Sequence, residues 1–215
     1  MPSTSLKFRG ELTRLKLHMK TCKSCPLHKH AKSSVPGIFI NADEDIDIMF
    51  IGEAPGKDED QQGLPFVGKA GQLLQKILID NGMTTNIYIT NIIKHRPPNN
   101  RKPTLDEMTK CGQAYLNHEI FFLNPKAIVC LGRSPAEYLM LNSNLSKKGS
   151  LRSFTFDHDI GYTSIPVYCT WHPAYILRNE SKLPELVDDL LTVKDYIHHA
   201  SINSIPDSVP SGEIF

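Results

Sequence analysis

The feature that most constrains the fold is a set of four short apolar runs, at 47–51, 87–92, 127–131 and 166–170, each followed by turn-forming residues. They are too short for helices and too apolar for half-exposed strands, so they read as strands buried on both faces. Segments of helical spacing separate them. Residues 69–81 place Leu73, Leu74, Ile77 and Leu78 on one face before Gly82 stops the run. Residues 104–123 open with Thr104-x-x-Glu107, a capping box. Residues 134–141 form a short helix, and 183–199 put Leu186, Leu190 and Val193 on an inner face. A further helix is expected within 6–20. Strand–helix alternation of this kind predicts a three-layer α/β/α domain around a central four-stranded parallel sheet. The 215 residues suffice for one such domain over 1–200, and the Ser- and Pro-rich end, 201–215, reads as a disordered tail.

The net charge of +1 excludes a uniformly basic nucleic-acid binder, so any DNA contact has to come from a local patch. No run of eighteen apolar residues is present, and the N-terminal MPSTSLKFRG lacks the apolar stretch of a signal peptide. A cytoplasmic, reducing location is therefore expected. The five cysteines fit this, since an odd count argues against a disulfide framework. Cys130 in AIVCLG and Cys169 in PVYCTW read as buried strand residues, whereas Cys22 and Cys25 form a C-x-x-C on a turn before Pro26.

In a parallel sheet, ligands bind beyond the carboxyl ends of the strands. Four polar turns gather there: Gly52-Glu53-Ala54-Pro55-Gly56, Thr90-Asn91, Gly132-Arg133-Ser134 and Trp171-His172-Pro173. The stretch Gly63-LPFV-Gly68-Lys69 has the spacing of a phosphate loop, but Ala70 stands where a magnesium-holding Ser or Thr is needed. It reads better as a pocket wall. An exposed Phe66 there can stack on a flat ring, although a plain core position is the alternative. Glu53 and Asp58-Glu59-Asp60 supply carboxylates nearby, and the latter trio is also what a solvated loop looks like. Asn91 offers a donor and an acceptor to a base edge, or stabilises a turn. His172, before Pro173, is a turn histidine, which on its own is more often structural than catalytic.

Four signals in order give a recognisable whole: C-x-x-C; GEAPG followed by GLPFVGKAGQLL; TNIIKHRPPNNRKPTLDEMTKC; and HPAYILRN. Over roughly residues 15 to 198 the chain resembles the family 4, iron–sulfur branch of the uracil-DNA glycosylase superfamily. The resemblance implies a monofunctional enzyme that hydrolyses the N-glycosidic bond of deoxyuridine in DNA, acting as a monomer on uracil-containing DNA. It implies that Phe66 stacks on the flipped uracil, that Asn91 reads its edge, and that His172 donates to O2 of the leaving base. Glu53 and Glu59 position water or stabilise the cationic sugar. Ala54 stands where better-known uracil glycosylases carry a water-activating aspartate. Residues 173–178, ending in Arg178, enter the minor groove. From the residues themselves, Arg96, Arg101 and Lys102 offer a phosphate-facing patch, to which Lys147, Lys148 and Arg152 either add or stand as solvated loop charges.

The resemblance also implies a [4Fe–4S] cluster on Cys22, Cys25 and Cys111, with His95 at the fourth position in place of cysteine. Histidine ligands to iron–sulfur clusters are known in Rieske-type sites. An absent cluster, a three-iron form and a Cys₃His zinc site are the other readings. His28 and His30 read as surface residues. A related branch that traps uracil-DNA covalently shares Lys-His at 94–95. It has Gln in place of Glu53 and a basic insert that HRPPNNRKP lacks, so turnover is favoured over trapping.

Overall fold

A computed structural model describes residues 9–43, 45–139, 152–158 and 161–203, of which 152–158, 161–164 and 200–203 are described by backbone alone. The chain runs α1 (Arg9–Lys20), β1 (Ile38–Ile40), β2 (Ile48–Gly52), α2 (Lys57–Gln62), α3 (Lys69–Asp80), β3 (Ile87–Asn91), α4 (Leu105–Cys111), α5 (Asn117–Leu123), β4 (Ala127–Leu131), α6 (Arg133–Leu139), β5 (Arg152–His158), β6 (Gly161–Thr170), α7 (Pro173–Ile176) and α8 (Leu183–Asn203). The strands form one sheet in the order β1-β3-β2-β4-β6-β5. The four expected strands are its parallel centre: β2 pairs in parallel with β3 and β4, and β4 with β6. The sheet is nonetheless wider than expected. Two antiparallel strands close its edges, β1 on β3 and β5 on β6, making six in all.

Alternation along the central strands produces the three layers. Met49, Ile51, Tyr88, Ile128, Cys130 and Val167 face one core with Leu12, Met19, Tyr115, Leu116 and Ile120 from α1, α5 and the turn before it. Ile48, Phe50, Ile87, Ile89, Val129 and Tyr168 face the other, with Leu74, Ile77 and Leu78 of α3 and Leu186, Leu190 and Val193 of α8. A period-2 strand buried on both faces has to be apolar at every position, which is why these runs show no polar alternation.

The capping box at Thr104 forms as read. Thr104 Oγ1 accepts from the Glu107 amide at 3.2 Å, and Glu107 Oε2 accepts from the Thr104 amide at 2.8 Å. The helix it opens is interrupted by a π-helical turn, Gly112–Leu116, between α4 and α5. The last helix runs to Asn203, three residues into the expected tail, and 204–215 lie outside the described residues. Among the described residues no helix is long and apolar enough to cross a membrane.

Candidate active site

The carboxyl ends of β2, β3, β4 and β6 open into a cleft of about 610 Å³. All seven residues expected to act on substrate line it: Glu53, Ala54, Glu59, Phe66, Asn91, His172 and Arg178. Strand ends and the turns leaving them bring together residues up to 125 positions apart.

Phe66 is the wall of the cleft. It is buried, 6% exposed, rather than the exposed aromatic expected from its loop, and its ring stacks with His172 at 6.1 Å between centroids and 28° between planes. Its backbone sits in the left-handed region, φ 56°. Such a conformation costs about 1–3 kcal/mol in a residue with a side chain and persists only where its surroundings over-determine it. Gly71 makes the room: a Cβ there would lie 1.8 Å from the Phe66 carbonyl oxygen. Gly52 does the same at the cleft floor, where a Cβ would lie 2.3 Å from Asn91 Oδ1 and 2.7 Å from the Phe66 ring. Both glycines are therefore required by close approach.

His172 caps α7. Its Nδ1 accepts a hydrogen bond from the Ala174 amide at 3.0 Å. A nitrogen that accepts carries no proton, so the neutral ring bears its hydrogen on Nε2. Burial, and secondarily the Arg178 guanidinium, hold the His172 pKa down to about 4. The ring is thus a neutral N–H donor throughout the physiological range.

The two carboxylates differ. Glu53 Oε2 accepts from Ser134 Oγ at 2.5 Å, and Ser134, 4% exposed, opens α6. Glu59 instead spends both oxygens on the loop: Oε2 accepts from the Gly56 amide at 3.0 Å and Oε1 from the Gly68 amide at 2.8 Å. It pins the wall that carries Phe66, and the water-activating role expected for it is not what this geometry supports. Asp60, read as part of a solvated trio, is buried and accepts from the Lys32 amide at 2.8 Å. Asp58 is exposed, as that reading expected.

Ser134 was not singled out for a role in the sequence. Its signal was position alone, in the third turn along the active edge. Arg133, which also lines the cleft, was missed in the same way. With Arg101, Lys102 and Arg178 it gives the rim four cationic side chains. Arg101 is fixed by a two-pronged pair with Glu107, at 2.7 and 2.8 Å, and holds that carboxyl at about 2. Arg96 bonds Asn100 at 2.7 Å and does not line the cleft. Lys147 and Lys148 lie outside the described residues, and the side chain of Arg152 is not described. Leu177, 45% exposed at the end of α7, is the apolar tip of the segment expected to enter the minor groove.

Cys130 is buried in its strand as expected, whereas Cys169, read as buried, is half-buried. Cys130 and Cys169 are register partners on β4 and β6. Cys22, half-buried, and Cys25 and Cys111, both buried, lie in one electrostatic neighbourhood: each of the other two raises the Cys111 thiol, after burial, and Cys22 raises Cys25. Burial pushes Cys111 up to about 12. The Lys94 amide donates to its sulfur at 3.3 Å. Thiols are the ordinary ligands of an iron–sulfur cluster, and one of these three already receives an N–H. His95 is buried and follows Lys94 directly, but the charged groups that bear on it are His28 and Asp60 rather than the thiols. His28, expected at the surface, is half-buried and donates from Nδ1 to the Cys25 carbonyl at 2.6 Å, while His30 is exposed. Among the described residues, no three His, Cys, Asp or Glu side chains are gathered as a site for a metal ion.

The family model of the uracil DNA glycosylase superfamily matches residues 39–192, more than half of the chain. The chain is 39% identical over 180 residues to a type-4 uracil-DNA glycosylase of Pyrobaculum aerophilum, covering 81% of this chain and 90% of that protein. It is 39% identical over 172 residues to the type-4 enzyme of Archaeoglobus fulgidus, covering 79% and 84%. With that of Thermotoga maritima it shares 38% over 182 residues, covering 83% and 91%.

Proposed function

The chain belongs to the uracil DNA glycosylase superfamily, and on that premise we propose that it is a monofunctional uracil-DNA glycosylase that hydrolyses the N-glycosidic bond of deoxyuridine in DNA. The observation that carries this reading is the His172–Ala174 hydrogen bond, which leaves a neutral N–H donor beside the stacking face of Phe66. Departure of uracil puts negative charge on the base and positive charge on the sugar. A site for it needs donors aimed at the base and a carboxylate near the sugar.

The residues supply both. Phe66, whose close packing Gly52 and Gly71 permit, stacks on the flipped base. The Asn91 amide accepts from uracil N3–H and donates to O4, a pattern that cytosine reverses. His172 donates from Nε2 to O2 as it becomes anionic, and being neutral it keeps its proton to do so. Glu53, oriented by Ser134, stabilises the oxocarbenium-like sugar and orients the attacking water. Glu59 holds the Phe66 loop. Arg101, Lys102, Arg133 and Arg178 face phosphates, and Leu177 fills the gap the base leaves.

Cys22, Cys25 and Cys111 would be the cysteine ligands of a [4Fe–4S] cluster, with His95 as the fourth ligand. Through it these residues would tie the turn after α1 to the 95–111 loop, a structural role apart from the bond cleavage.

The test is an excision assay on a single-uracil oligonucleotide, with a denaturing gel and a visible absorbance scan of the same sample. Alkali-labile product, an unshifted protein band and broad brown absorbance are expected. A shifted band without product would replace turnover with covalent trapping. A colourless protein carrying zinc would overturn the cluster assignment.

A further inference from the structure

Among the described residues, the most heavily buried charges lie outside the cleft. Lys94 is 0% exposed and Glu119 1%, and they pair at 2.7 Å. The Lys94 ammonium has three protons, and all are used: on Thr90 Oγ1 at 2.7 Å, on the Asn91 carbonyl at 2.8 Å and on Glu119 Oε2. Glu119 also accepts from Tyr88 OH at 3.0 Å and Thr90 Oγ1 at 3.1 Å. One carboxylate on α5 thereby holds Tyr88 and Thr90 of β3 directly and, through the Lys94 ammonium, the carbonyl of Asn91, the residue that faces the cleft.

We propose that the Lys94–Glu119 pair is a positioning device that fixes Asn91 for base recognition and links it to the cysteine corner. The proposal rests on the assignment of Asn91 above. A buried ion pair gains little over a well-packed apolar replacement, so stability is a weak account of why one stands here. Geometry is a better one. From Asn91 to Lys94 the main chain is tied at every step. The Asn91 carbonyl is held by the Lys94 ammonium, the Ile92 amide by the Gly52 carbonyl at 3.0 Å, and the Ile93 amide by the Glu53 carbonyl at 3.1 Å. The Lys94 amide is held by the Cys111 sulfur at 3.3 Å, and its carbonyl by the Val35 amide at 2.7 Å. The four-residue stretch therefore transmits the position of Cys111 to Asn91 and Glu53 through bonded contacts. Lys94 does not line the cleft, so it acts through Asn91 and not on substrate.

Substituting both partners avoids leaving one charge buried alone. The test compares Lys94→Met/Glu119→Leu in the native background and in an Asn91→Ala background, measuring kcat, KM, thermal midpoint and visible absorbance. The expected result is a folded, coloured protein whose kcat falls about tenfold or more with little change in KM. In the Asn91→Ala background the same double substitution changes kcat less than about twofold. Equal losses in the two backgrounds, or unchanged kcat in the native one, would overturn the proposal. Should Asn91→Ala alone excise uracil normally, the Asn91 assignment falls and this proposal with it. If the double variant does not fold, Thr90→Val removes the hydroxyl shared by Lys94 and Glu119 while keeping the side-chain shape, and the same comparison applies.

Discussion

The cleft and the cysteine corner lie at opposite ends of the stretch from Asn91 to Lys94, and they differ in what the chain alone can satisfy. In the cleft the two carboxylates and the histidine have their partners in place. Glu59 is bonded by two amides, Glu53 by Ser134, and His172 by the Ala174 amide. The corner is the reverse. Burial raises the thiols of Cys25 and Cys111, and a protein N–H to one sulfur is modest compensation. One region is preorganised by its own hydrogen bonds; the other, on the proposed cluster assignment, is a donor set whose burial would be offset by a cationic cluster core taking the thiolates. Substitutions in the first should cost rate, and in the second, stability.

The largest effect is expected at His172. His172→Ala removes the donor to the departing anion and should lower kcat about 10²–10³-fold, as loss of one oxyanion-type donor does. Its thermal midpoint should stay close to the native value, because the lost side chain caps only the four-residue α7. A large fall in melting temperature would erase the distinction between the two regions.

Cys111→Ser tests the other side. It should abolish the brown absorbance and lower the thermal midpoint by several degrees. Product formed per folded molecule at low temperature should stay within about tenfold of native, the residual loss passing through Lys94. A Cys111→Ser protein that melts like the native one but excises as poorly as His172→Ala would place the corner in the chemistry instead.

The sequence showed the parallel centre of the fold because a doubly buried strand leaves an unbroken apolar run. It did not show the edges. Ile38–Ile40 is three residues long beside Pro36-Gly37, and β5 and the start of β6 are largely polar, because an edge strand need not be apolar on both faces. Nor did the sequence show the need for Gly112 at the start of the π turn, which is tertiary: a Cβ there would lie 2.2 Å from the Tyr138 ring. In the cleft, the residues with distinctive turn chemistry were legible. Ser134, Arg133, Lys94 and Glu119 were not, since each acquires meaning only from a partner distant in sequence. Glu59 shows the converse: its residue type and position suited catalysis, and only the two amides around it reveal a scaffold.

The smallest predicted effect follows from the His172 proton and separates stability from activity within the cleft itself. In the unfolded chain a histidine titrates near 6.5, whereas in the fold His172 is held at about 4. Between those values the unfolded chain binds a proton that the folded one does not. The stabilisation is therefore complete above pH 6.5 and is lost as pH falls toward 4. His95 shifts in the same direction, so the native slope alone does not isolate one residue. The difference between native protein and His172→Gln does. The native melting temperature should fall more steeply than that of the variant between pH 6.5 and 4, at about 2–4 °C for each kcal/mol in a chain of this size. Over the same window His172 remains neutral, so the native protein, assayed well below its melting temperature, should keep its donor until pH approaches 4. Parallel melting curves for the two proteins would show that His172 is protonated in the fold near its ordinary pKa, and the neutral-donor account of the cleft would fail with it.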